Sequence, residues 1–96
     1  MPGARAVLAA AELRTRAAKL ADWRVVDNHH LARTFRFPDF QKALEFVNRV
    51  GAVAEEQGHH PDIHLTWGRV DIETWTHDAG GLTEKDFLLA GKINEL

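Results

Sequence analysis

The chain contains neither cysteine nor serine. Without thiols it has no disulfide frame and no thiolate metal centre, and without either residue the usual acyl-transfer nucleophiles are missing. A formal net charge of -2 gives no basic footprint for nucleic acid. No apolar run approaches the length of a membrane span, and the first residues lack the apolar core and cleavage pattern of a signal peptide. Neither GxGxxG nor a P-loop occurs, so nucleotide chemistry has no support, and there is no HExxH. No internal repeat or low-complexity linker interrupts the pattern. These absences predict a cytoplasmic chain that engages neither membrane nor nucleic acid.

What is present is globular. Ninety-six residues, 45% hydrophobic and 27% charged, predict one domain, residues 1–96, with a modest core. Domains this small often gain stability by associating. After a frayed "MPGAR", the run "AVLAAAELRTRAAKLAD" reads as a helix with Leu13, Ala17 and Leu20 in a stripe. "WRVVDNHHLARTFRF" reads as a hairpin, with Asp27-Asn28 between Trp23–Val26 and Leu31–Phe37. Pro38-Asp39 starts a second helix with Phe40, Leu44, Val47, Val50 and Ala54 at helical spacing, and Gly58 and Pro61 end it. A second hairpin pairs "DIHLTW" with "VDIETWTH" through Gly68-Arg69. In it Val70, Ile72, Thr74 and Thr76 share one face, and His77 lies on the other at the strand end. The last helix has a capping box, Thr83 with Asp86, and a staple from Leu82 to Phe87. The expected fold class is α+β, a four-stranded antiparallel sheet with three helices on one face in the order α-β-β-α-β-β-α.

Six histidines are many for this length. His29 and His30 fall in the solvated first hairpin turn and receive no role. His64 shares strand parity with Thr66 and reads as solvent-facing. His59, His60 and His77 differ, because the helix exit and the far end of the second hairpin can meet at one pocket. Glu55, one helical turn before His59, can reach that ring, and Asp86 can approach from the last helix. Each has an ordinary explanation as well: Glu55 as a solvated helix residue, Asp86 as the capping box, Trp23 as a core anchor. A metal shell of three histidines and an acid is the rival reading. Pro61 breaks the His60–His64 interval, and adjacent imidazoles point apart, so metal ranks second. Metal-free general acid–base chemistry ranks first.

The segment "EEQGHHPDIHLTWGRVDIETWTHDAGGLTEKDFLLAGKI" closely resembles the signature of pterin-4a-carbinolamine dehydratases: an acid, three residues, His-His-Pro, an aromatic after five more, Thr-His, then Gly-Leu-Thr before Asp. The resemblance extends upstream through "DW" at 22–23 and "FRFPDFQKALEFVNRVGAVAE", covering nearly everything after about residue 8. Gly91 and Asn94, where an acid is common, are mild departures that touch packing. The resemblance implies dehydration of 4a-hydroxytetrahydropterin to quinonoid dihydropterin, recycling the cofactor of aromatic amino-acid hydroxylases with no cofactor or metal of its own. It casts His59 and His77 as the acid/base pair and His60 as the residue that binds and orients the pterin. Glu55 and Asp86 would position or polarise, and Gly58, Pro61, Thr76 and Asp78 would line the pocket. It further implies a homodimer or homotetramer. The alternative it carries is a binding role, because relatives serve as a transcription-factor dimerisation cofactor or as Rubisco assembly factors. The full histidine set favours the enzyme.

Overall fold

A computed structural model describes residues 7–96, so "MPGAR" and the expected helical start at Ala6 lie outside the described residues. The elements are α1 (Ala10–Ala17), β1 (Arg24–Val26), β2 (His30–Arg36), α2 (Phe40–Gln57), β3 (Asp62–Thr66), β4 (Arg69–Thr74) and α3 (Glu84–Asn94). The four strands form one antiparallel sheet in the order β1-β2-β4-β3. The expected fold class and element order are therefore observed. Asp27 and Asn28 both take positive φ, 54° and 52°, and the Val26 carbonyl accepts from His29 N–H at 2.8 Å, the primed turn that matches hairpin twist.

One face of the sheet carries the core. Val70, Ile72 and Thr74 are fully buried, and Leu31, opposite Thr74, joins them with Leu13, Phe46, Val50, Leu82, Leu89 and Ile93. The other face shows His64 and Glu73 to solvent, as strand alternation requires for a sheet covered on one side. Trp23 is a core anchor: it is buried, packs edge-on to Phe35, and its Nε1–H donates to Asn94 Oδ1 at 2.7 Å. Arg33 donates to the same oxygen at 2.5 Å, so Asn94 supplies an acceptor where an acid would supply another.

Several expectations are corrected. In α2 the buried stripe is Ala43, Phe46, Val50 and Ala54, while Phe40 and Leu44 are 44% and 40% exposed. The helix carries two interleaved apolar stripes, and periodicity alone does not say which one meets the sheet. The second hairpin turns at Trp67-Gly68, one residue early. Gly68 O accepts from Phe37 N–H at 2.8 Å, and a Cβ at position 68 would sit 2.8 Å from Phe37 O, so the close approach selects glycine at that place. β4 ends at Thr74, and His77 opens a 3-10 turn, His77–Ala79, instead of ending the strand.

Candidate active site

The exit of α2 sets the first two imidazoles. Gly58 adopts φ 64°; its N–H bonds to Glu55 O, and His59 N–H bonds to Ala54 O at 3.1 Å. These two bonds make a Schellman cap, which needs a left-handed residue and suits glycine. The cap also pins the His59 backbone and breaks helical register. As a result Glu55 does not reach His59, as expected from i,i+4 spacing; it pairs with His60, Glu55 Oε2 to Nε2 at 2.5 Å. That pair is exposed, 62% for His60 and 78% for Glu55, so it orients a side chain and adds little stability.

His59 is held from behind. Its ring is 11% exposed, and Nε2 lies 2.5 Å from Oδ1 of Asp86, which is 0% exposed. Asp86 also accepts from Thr74 Oγ1 at 2.7 Å, Thr76 Oγ1 at 2.9 Å and Thr83 N–H at 3.0 Å. A hydroxyl has one proton, and Thr76 spends its own on Asp86, so Thr83 Oγ1 donates to Thr76 Oγ1 across 2.7 Å. A carboxylate accepts only, so the proton in the His59–Asp86 bond belongs to Nε2 and leaves Nδ1 as the second ring nitrogen. The capping box thus accounts for only one of the four contacts to this buried carboxylate.

His77 arrives from the other side. Thr76 N–H bonds to Gly81 O at 2.9 Å, and Gly80, at φ 72°, closes the loop back onto Thr76 O and His77 O. The His77–Ala79 turn is therefore a short tied excursion from the end of β4. His77 is exposed, and its ring lies 4.4 Å from the Trp75 ring, centroid to centroid, at 31°.

Gly58, His59, His60, Trp75, Thr76, His77, Asp78 and Lys85 line one cleft of about 260 Å³. The three expected catalytic histidines come together there, with Gly58, Thr76 and Asp78. Glu55 and Asp86 stand behind the histidines they hold, and Pro61 is not among the lining residues. Two imidazoles from different elements thus face one cleft, and an imidazole can both give and take a proton near neutral pH. The profile of the family described as Pterin 4 alpha carbinolamine dehydratase matches residues 6–96. The chain belongs to that family.

Within the pterin-4a-carbinolamine dehydratases, the chain is 56% identical over 85 residues to a Rubrobacter xylanophilus protein provisionally named for this activity, covering 88% of this chain and 79% of that one. It is 51% identical over 82 residues to pterin-4-alpha-carbinolamine dehydratase 2, mitochondrial, of Arabidopsis thaliana, covering 81% of this chain and 44% of that longer protein. The crystal structure of a transcriptional coactivator/pterin dehydratase from Brucella melitensis superposes with a TM-score of 0.86 at 34% identity, over 92% of this chain and 95% of that one. A pterin dehydratase-like RuBisCO assembly factor of the alpha-carboxysome shares the fold, with a TM-score of 0.65 at 22% identity over 77% and 87%.

Two lining residues of the histidine cleft, Trp75 and Lys85, escaped the sequence reading. Trp75 was recoverable: Thr74 and Thr76 point inward, so alternation puts 75 and 77 together outside. Lys85 had only its place beside Asp86 in the first turn of α3. A larger hollow, about 500 Å³, lies on the open sheet face among Arg24, Thr34, His64 and Asp71. Among the described residues, its lining holds no imidazole backed by a buried carboxylate, whereas the smaller cleft has His59 on Asp86. No helix among the described residues is long and apolar enough to cross a membrane.

Proposed function

We propose that this chain dehydrates 4a-hydroxytetrahydropterin to quinonoid dihydropterin and water, recycling the pterin used by aromatic amino-acid hydroxylases. The observation that carries the reading is the convergence of His59 and His77 on one cleft, with a buried carboxylate fixing His59. The reaction needs two proton movements. One imidazolium protonates the 4a-hydroxyl, the C4a–O bond breaks, and water leaves. The lone pair of the adjacent ring nitrogen forms the C=N bond, and the second imidazole takes the proton from that nitrogen. Charge balances without a redox cofactor or metal, so activity should survive exhaustive chelation. His60, oriented by Glu55, binds the pterin, and Thr76 and Asp78 line its seat. A cleft of about 260 Å³ lies just under the range of about 300–1,000 Å³ for drug-sized ligands, in keeping with a bicyclic ring bound with its substituent outside.

The test is loss of 4a-hydroxytetrahydropterin followed in time with folded protein and in buffer alone. Faster loss with protein is expected; equal rates sink the enzyme reading and favour a binding role like those named for the structural neighbours. The protein is also proposed to be a homodimer or homotetramer. Phe40, Leu44 and Leu88 are large, apolar and exposed, and among the described residues β1 and β3 are the outer strands of the sheet, each with one edge unpaired. Light scattering should give a multiple of 10.8 kDa, and a monomer mass at micromolar concentration overturns it.

A further inference from the structure

Of the three cleft histidines, His59 and His60 are each held by a carboxylate, whereas the His77 ring makes no hydrogen bond or ion pair with another described residue. An exposed imidazole on a short turn samples several rotamers unless something restrains it. Its neighbour is the half-buried Trp75 indole, 4.4 Å away between centroids with the two ring planes tilted by 31°, a close aromatic pair. Trp75 is itself braced. The β2–β4 pairing, with Leu31 opposite Thr74, brings the first hairpin turn alongside it. His29 lies 5.1 Å and His30 5.9 Å from the Trp75 ring. The two histidines are locked to each other, Nδ1 to Nδ1 at 3.0 Å, and His30 Nε2 lies 3.6 Å from Glu73 Oε2 on β4. These rings are half-buried, not the free turn residues their sequence position suggested.

We infer that Trp75 is a positioning residue for His77, and that His29 and His30 brace it, making the first hairpin turn a working part of the site. The inference rests on the dehydratase reading and adds residues outside the His-His-Pro and Thr-His motifs. Stacking fixes the plane of the imidazole through its faces, so both ring nitrogens, which lie in that plane, stay available for proton exchange. A hydrogen bond would commit one of them. An indole face also attracts an imidazolium, so the restraint persists when His77 carries the proton.

The experiment combines imidazole carbon–proton spectra with steady-state rates for wild type, Trp75→Leu and Trp75→Phe. In wild type the His77 ring protons should lie upfield of those of His60, because they sit over the indole. Trp75→Leu should return them downfield and leave His59 in place. It should lower kcat about tenfold to a hundredfold with KM within about twofold, the signature of lost orientation. Trp75→Phe, which keeps a flat ring, should restore most of both readouts. His77 protons without an upfield shift in wild type overturn the stack, whatever the activity. Equal kcat in all three proteins, or a folded Trp75→Phe as slow as Trp75→Leu, overturns the positioning role. If wild type fails to dehydrate the pterin, the dehydratase reading falls while the spectra still decide the stack.

Discussion

His59 enters the cleft from the end of α2 with a buried carboxylate behind its Nε2, whereas His77 enters from a short turn after β4 with an indole beside its ring. The difference lies in what each support is also doing. Asp86 joins α3, β4 and the α2 exit, because its two oxygens gather bonds from Thr74, Thr76, Thr83 and His59. Removing water from a carboxylate is expensive, and several donors are needed to offset it. Orientation of His59 and stability of the fold are therefore one network. On the other side Trp75 lies half-buried at the sheet end, and no hydrogen bond or ion pair ties the exposed His77 ring to another described residue. Chemistry and stability should separate there.

The largest effect should follow from Asp86→Ala. The Thr74 and Thr76 hydroxyls and the Thr83 N–H, all in residues no more than 3% exposed, would lose their acceptor together. Leaving buried donors unpaired costs about 1–3 kcal/mol each, so a total loss of at least about 3 kcal/mol in urea denaturation is expected. Turnover should fall with it, by about a hundredfold or more, as His59 loses its orienter. Stability unchanged within about 0.5 kcal/mol would show that fold and site are not coupled through this carboxylate.

His77→Ala should give the contrasting signature. Turnover should fall by about two orders of magnitude or more if His77 moves a proton in the transition state. The urea midpoint should barely move, since exposed substitutions commonly stay within about 0.5 kcal/mol. An unchanged rate removes His77 from the acid/base pair. A large stability loss breaks the proposed separation.

The same contrast explains how much of the molecule could be read from sequence. Element types and order follow from local signals: the Asp27-Asn28 turn, the Pro38-Asp39 helix start, the Gly58 exit and the alternation of Val70, Ile72, Thr74 and Thr76. The His59–His60–His77 grouping was legible from motif spacing and from chain ends predicted to meet. What was not legible depends on non-local geometry. Thr74 and Thr76 read as an inward face, but nothing local says that their hydroxyls aim at Asp86. The Schellman cap moved Glu55 from His59 to His60, because two extra backbone bonds override helical spacing. The choice between the Phe40–Leu44 stripe and the Ala43–Phe46 stripe was made by packing on the sheet. Residues 29 and 75 meet only because β2 lies beside β4, and strand order is a tertiary property.

The smallest effects test how far the His77 support extends. His64→Ala should match wild type within about twofold in rate, since His64 sits exposed on the open sheet face, opposite Asp71 and away from the cleft. His29→Ala removes a ring that contacts both Trp75 and His30. Aromatic pairs of this kind contribute about 0.5–1.5 kcal/mol beyond buried area, so a loss near the lower end is expected for a half-buried ring. The rate should fall about two- to threefold through a looser Trp75, because small errors in orientation carry through to turnover. Measured side by side, the two variants separate a remote surface histidine from one that braces the site. If His29→Ala is indistinguishable from His64→Ala in both rate and stability, the first hairpin turn contributes nothing and the support of His77 ends at Trp75. If it is as damaging as Trp75→Leu, the indole has no independent hold on the imidazole, and the turn itself sets the position of His77.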